Sequence, residues 1–122
     1  MIKLTIPRVP PSPNELLGFH WRYRKKNCDL WQREVFYALL QEGHRNPVPY
    51  GRAKVTIDRH SHGELDPDNL VGCVKPIIDA LRYAYVLVDD SPAHLVLTVT
   101  QQRCPRRVGP KTLIEIQPLE AS

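Results

Sequence analysis

The chain has 122 residues, of which 42% are hydrophobic and 25% are charged, and its formal net charge is +4 at pH 7. This length allows one hydrophobic core and is too short for two, so we predict a single domain over residues 1–122. Its apolar runs fall short of the roughly 18 residues that a membrane-spanning helix requires, which excludes that class of protein. The excess of cations favours a polyanionic partner.

Two further features favour the reducing environment of the cytoplasm. Residues 1–6 lack the basic stretch, the long apolar region and the cleavage site of a secretory signal. Cys28, Cys73 and Cys104 are far apart and include no Cys-x-x-Cys pair, so they indicate neither a disulfide framework nor a structural zinc site. We expect a cytoplasmic protein with reduced thiols.

The first predicted element is a strand, followed by a proline-rich segment. Ile2, Leu4 and Ile6 alternate with other residues, which is typical of a strand with one buried face. Four prolines between residues 7 and 13 disfavour helix and interior strand. We therefore predict a stiff, extended surface segment that ends at Asn14.

A run of aromatic and basic residues occupies positions 19–26, with the sequence Phe-His-Trp-Arg-Tyr-Arg-Lys-Lys. Such a composition can stack on nucleic-acid bases and neutralise phosphates, and a solvated basic loop is the alternative. The candidate DNA contacts are Asn14, Arg22, Arg24, Lys25 and Lys26.

One predicted helix and one predicted strand come next. An Asp-x-x-Gln pattern that imitates a capping box predicts a helix start near Asp29, and Gly43 is the predicted stop. Alternation of apolar and polar residues predicts a strand near residues 53–60.

A second helix is predicted between Leu70 and Leu81, where apolar residues recur at helical spacing. Asp68 or Asn69 would be its N-cap, and Pro76 predicts a kink or a restart. Two more alternating strands follow near residues 94–102 and 112–117. We therefore expect an α/β (α+β) fold in which a mixed β-sheet of about four to five strands packs against two main helices.

Acidic residues are clustered around this second helix. The chain carries Asp66 and Asp68 before it, Asp79 within it, and Asp89 and Asp90 after it. Carboxylates held close together repel one another unless a cation lies among them, and hard cations prefer oxygen ligands. Residues two apart in an extended segment point the same way, so Asp66 and Asp68 are expected to face one ion. The pattern predicts a divalent-metal site, and capping or turn roles are the alternative for a lone Asp-x-Asp.

These motifs resemble a known family. The matching segments are Pro10-Pro11-Ser12-x-Asn14, Asp66-Pro67-Asp68-Asn69-Leu70, Lys75, Ile78-Asp79-Ala80-Leu81 and Val88-Asp89-Asp90, and together they resemble the signature of RusA-type Holliday junction resolvases. The resemblance extends over nearly the whole chain in order and length. It implies a homodimeric, Mg²⁺-dependent endodeoxyribonuclease that cuts four-way DNA junctions by paired symmetric nicks.

The resemblance also implies a role for each motif residue. Asp66, Asp68 and Asp90 would be metal ligands and catalytic residues, and Lys75 would be the essential lysine of the helix. The ion would be Mg²⁺, with Mn²⁺ as a possible substitute. An ordinary ion pair with Asp79 is the alternative role for Lys75, because the two are four residues apart. The supporting residues would be Asn69, Asp79 and Asp89.

One departure from the family pattern concerns Lys75. Residues 70–74 separate it from Asn69, about one helical turn more than in family members. If Gly72 and Pro76 absorb this turn in a kink, Lys75 reaches the carboxylates; if they do not, its assignment fails.

Two other classes of protein are compatible with the same residues. One is a non-catalytic DNA-binding protein that keeps the fold and has lost catalytic geometry through the inserted turn. The other is a metal-dependent nuclease that acts on other branched nucleic acids. Metal-independent junction binding without cleavage would identify the first, and a panel of substrates would identify the second.

Overall fold

The structure, a computed structural model, describes residues 1–13, 21–44 and 49–119. In chain order its elements are β1 (Ile2–Ile6), α1 (Trp21–Gln41), β2 (Ala53–Ser61), α2 (Pro67–Cys73), α3 (Lys75–Tyr83), β3 (Leu95–Arg103) and β4 (Lys111–Pro118). The predicted DNA contact Asn14, with Phe19 and His20 of the aromatic and basic run, lies outside the described residues.

The four strands form one mixed sheet in the order β1-β4-β2-β3. β4 pairs antiparallel with both β1 and β2, and β2 pairs parallel with β3 from Ala53↔Leu95 to Ser61↔Arg103. Parallel neighbours need a crossover connection, and α2 and α3 supply it. The predicted α+β fold with a mixed sheet and two main helices, the second of them broken, is confirmed.

One face of the sheet packs against the helices and forms the core. Alternate residues of β1, β2 and β4 are buried on this face, as the period of a strand requires. From α1, Trp31, Val35 and Leu39 are almost fully buried, and from α3, Ile77 and Leu81 are. This packing fixes α1 and α3 side by side over the sheet.

The other face of the sheet carries polar side chains joined by hydrogen bonds. Asp58 of β2 accepts hydrogen bonds from Thr100 Oγ1 at 2.8 Å and Gln102 Nε2 at 3.0 Å, and it contacts His60 Nε2 at 2.7 Å. These bonds tie β2 to β3 across the parallel register.

Two sequence predictions about elements are wrong. The long helix is already formed at Trp21, eight residues before Asp29, because residues 21–28 contain no proline or glycine and the Asp-x-x-Gln pattern lies inside the helix. The proline-rich segment is not confined to the surface, since Pro10 and Ser12 are buried. Within the described ranges, no helix is both long enough and apolar enough to cross a membrane.

Candidate functional site

The first acidic motif forms the start of α2. Asp66 is the N-cap, with extended backbone (φ −65°, ψ 163°), and its Oδ1 accepts the backbone N–H of Asn69 at 2.9 Å. The side-chain amide of Asn69 donates to the same carboxylate at 3.0 Å. These bonds, led by the backbone N–H, hold the pKa of Asp66 below its ordinary value. The carboxylate is therefore ionised at neutral pH.

This local geometry corrects two expectations about the motif. The N-cap is Asp66 rather than Asp68 or Asn69, because Pro67 needs no N–H partner at the first helical position and its fixed φ suits a helix start. Asp68 lies in the first helical turn, so it is not part of an extended segment with Asp66. The extended backbone on which the expected parallel presentation of the two carboxylates depended therefore ends at Asp66.

The helix breaks between the first motif and the lysine. Val74 (φ −88°, ψ −4°) ends α2 and precedes α3, and Pro76 occupies the first turn of α3, where its missing N–H costs no hydrogen bond. Gly72 is close to the proline-rich segment, since a Cβ added there would lie 2.7 Å from Pro13 Cγ. The predicted kink or restart at this point is confirmed.

After the break, Lys75 joins two acidic motifs that are distant in sequence. Its Nζ donates to Asp79 Oδ1 at 3.1 Å and to Asp90 Oδ2 at 3.2 Å. The bond to Asp79, followed by the bond to Asp90, raises the pKa of Lys75, so its ammonium stays charged. Lys75 is thus in contact with a predicted metal ligand despite the inserted turn.

A tight turn after α3 brings the last acidic motif back alongside that helix. Tyr85 adopts a left-handed conformation (φ 61°), and Val86 N–H donates to Leu81 O at 3.0 Å. Tyr85 has no glycine-like freedom, so this conformation is held by its surroundings. Asp89 and Asp90 follow this turn, in the segment that runs back alongside α3.

Asp90 contacts a second cation that the sequence interpretation missed. Arg82 Nη1 lies 3.5 Å from Asp90 Oδ1 and 3.7 Å from Asp89 Oδ1. The hydrogen bond from Lys75 is the main cause that lowers the pKa of Asp90, and the charge of Arg82 adds to it. Arg82 is seven residues after Lys75, a spacing that places both on one helical face and could have identified it.

The carboxylates of the acidic motifs are the oxygen ligands that a hard divalent cation prefers. They are not grouped closely enough to bind one ion together. Within the described ranges, no three His, Cys, Asp or Glu side chains form a group that could hold a metal ion. Asp66 caps the start of α2, and Asp90 contacts Lys75 at the start of α3. A shared ion would therefore require the two motifs to approach each other.

Four of the predicted DNA contacts lie in the N-terminal part of α1 that the structure describes. Arg22, Arg24, Lys25 and Lys26 are all exposed there, and the Arg22 guanidinium carbon lies 5.6 Å from the ring centroid of Trp21. A cavity of about 210 Å³ between α1 and the helix break is lined by Arg24 and Lys75, together with Pro13. The basic run is therefore next to the lysine and its carboxylates.

Arg59, a basic residue of β2, has structural partners. Arg59 is buried, and it donates to Pro10 O and to Gly63 O, both at 3.5 Å. Its guanidinium ties the proline-rich segment to β2 and is not available to DNA.

The comparisons with known proteins add no family assignment. Protein-family models gave no match to the chain, and curated proteins gave none either. The interpretation of the site therefore depends on its residues and their geometry.

Proposed function

We propose that this protein is a Mg²⁺-dependent endodeoxyribonuclease that acts on branched DNA and resolves four-way junctions by paired symmetric nicks, in cytoplasmic DNA recombination and repair. The observation that carries the proposal is the contact of Lys75 Nζ with Asp79 and Asp90 immediately after the helix break. Residues of the resolvase-like motifs that are 15 positions apart meet there.

In this proposal Asp66, Asp68 and Asp90 would hold Mg²⁺ or Mn²⁺. The ion, when bound, would supply Lewis-acid polarisation of the phosphate and an activated water. Asp90 would have to exchange its contact with Lys75 for the ion, and the lysine released would then face the DNA phosphate. Its ammonium would balance the negative charge that develops during hydrolysis. The supporting residues would be Asn69, Asp79 and Asp89.

Binding to DNA would depend on the basic run of α1. Arg22, Arg24, Lys25 and Lys26 would neutralise backbone phosphates and orient the branch point, with Asn14 as a further contact. Arg24 shares a cavity with Lys75, so a backbone held by this run would pass the catalytic lysine.

A homodimer is part of the proposal because paired symmetric cuts need two sites related by a two-fold axis. Each subunit would nick one of two opposing strands.

The alternative of a non-catalytic DNA-binding protein with the same fold has one observation in its favour. Asp90 lies between the cations of Lys75 and Arg82, which neutralise its charge without a metal ion. In that case the acidic motifs would stabilise the turn after α3 and the segment that leads from it to Asp90, and they would take no part in catalysis. A nuclease for other branched nucleic acids is the remaining alternative.

Asp68→Asn separates these proposals in an assay with a synthetic four-way junction and Mg²⁺. We expect the variant to lose nicking and to retain junction binding, because the basic run of α1 is unchanged. Glu115→Gln, which alters an exposed carboxylate of β4, is the matched control and should nick normally. Equal nicking by Asp68→Asn and native protein would defeat the proposal. Junction binding without nicking by native protein would favour the DNA-binding protein.

A panel that adds flaps, replication forks and linear duplexes tests the substrate preference. The proposal expects the four-way junction to be cut fastest. Equal rates on all branched substrates would favour the broader nuclease.

A further inference from the structure

We propose that the groove between α1 and α3 binds one unpaired nucleotide of the DNA, with its base against the aromatic rings of Phe36 and Tyr83. The inference rests on the proposed action on DNA and adds a binding site to it.

The groove has the size and the walls of a small-ligand site. Its cavity volume is about 830 Å³, within the range of roughly 300–1,000 Å³ for ligand pockets. Leu30 and Phe36 line it from α1, and Ala80, Tyr83 and Ala84 line it from α3 or the residue that follows. A single nucleotide fits a cavity of this volume.

Its two aromatic rings come from different helices and are exposed. Phe36 is 52% exposed and Tyr83 is 65% exposed, although both line a concave surface. Aromatic rings on a basic surface are the usual platform for unpaired bases, since every base has a face that can stack. The rings would therefore favour a base over a paired segment of duplex, whose bases are already stacked.

The charges along the groove match a nucleotide better than an apolar protein segment. Lys26 and Arg33 line the groove, and neither pairs with an acidic side chain in the part of the chain that the structure describes. These cations would bind the phosphates on either side of the base. Among the described residues of the lining, Asp29 is the one carboxylate, and it would accept a hydrogen bond from a base N–H.

The groove is also continuous with the candidate functional site. Lys26 belongs both to the basic run of α1 and to the groove lining. Tyr83 is four residues after Asp79, which bonds to Lys75, so it lies about 6 Å further along the same face of α3. A nucleotide in the groove would hold the strand one helical turn from the lysine.

Binding of two short oligomers tests the inference. One is an oligothymidylate and the other is an abasic strand of equal length and charge, and affinity is measured by fluorescence anisotropy. The native protein should prefer the oligothymidylate. Phe36→Ala and Tyr83→Ala should each reduce that preference about tenfold, because stacking on one ring contributes about 1–3 kcal/mol. Tyr37→Ala is the matched control, since Tyr37 is 61% exposed on the same helix and does not line the groove.

Each contrary result has a distinct meaning. Equal affinity of the native protein for both oligomers overturns the inference, as does an unchanged preference in both ring variants. If Phe36→Ala instead changes the number of subunits in sedimentation, the groove is a contact between copies and the inference is wrong. Junction cleavage is scored separately. Cleavage without base preference overturns only the proposal that the groove binds a nucleotide. Base preference without cleavage overturns only the proposal that the protein is a nuclease.

Discussion

At the scale of single residues, Lys75 distinguishes a catalytic from a structural acidic cluster. A structural role would amount to exposed ion pairs with Asp79 and Asp90, which typically contribute about 0–1 kcal/mol. We predict that Lys75→Ala slows junction cleavage about a hundredfold, the usual loss when a group that stabilises transition-state charge is removed. Single-turnover cleavage measures this rate.

The control for this prediction is Lys54→Ala, which removes an exposed lysine from the open face of the sheet. It should cleave at the native rate. Lys75→Ala with native cleavage and reduced stability would assign the lysine to structure alone.

Asp66 provides a prediction about pH, because its folded-state pKa is lowered by the hydrogen bonds from Asn69. A group with a lowered folded-state pKa stabilises the fold above its unfolded pKa, about 3.9 for Asp. That stabilisation is lost as the pH falls through the folded-state pKa. We predict that Asp66→Ala lowers the melting temperature at pH 7 in the presence of EDTA and that the difference from native protein shrinks as the pH falls below about 3.9. A difference of the same size at all pH values would contradict the lowered pKa of Asp66.

The sequence identifies most of the site residues but not all of their contacts. The contact between Lys75 and Asp90 was expected if the helix broke, because Gly72 and Pro76 both favour a break. The ion pair between Arg82 and Asp90 depends on the turn at Tyr85, and a non-glycine residue at positive φ has no sequence signature.

At the scale of elements, Gly72 packs closely against Pro13 two residues before the break between α2 and α3. A methyl group at this position would stabilise the fold by about 1 kcal/mol through higher helix propensity. It would destabilise the fold by about 1–3 kcal/mol through overpacking against the rigid ring of Pro13. We predict that Gly72→Ala lowers the free energy of unfolding by about 1 kcal/mol, measured in urea.

Gly63→Ala is the control for this prediction. No described atom lies within 4 Å of a Cβ added at Gly63, so its stability should change by less than about 0.5 kcal/mol. An increase in stability of Gly72→Ala would mean that the proline-rich segment does not pack on α2.

The strands were predictable because each one alternates between more buried and more exposed positions, and the four observed strands match the four predicted segments. The start of α1 was not. The Asp29 pattern has the residues of a cap, but a cap also needs non-helical backbone, which depends on the residues before it. The same limit applies to Asp66, where Pro67 decided the helix start.

At the scale of the whole molecule, the charge of +4 and the basic run of α1 predict salt-dependent binding to DNA. Each phosphate contact contributes about one unit to the slope of log affinity against log salt. We predict that Arg24→Ala and Lys25→Ala each reduce that slope by about one for a four-way junction, measured by anisotropy between 50 and 200 mM salt. Lys3→Ala, which removes an exposed lysine of β1 paired with Glu115 of β4 on the face of the sheet opposite the helices, should leave the slope unchanged.

The most direct measurement of the central claim is strand mapping on a four-way junction. Each of the four strands is labelled in turn and incubated with native protein and Mg²⁺. We predict nicks at symmetric positions in two opposing strands, abolished by EDTA and by Asp90→Asn. A junction that is bound by the protein in Mg²⁺ and remains uncut in every strand would contradict the account.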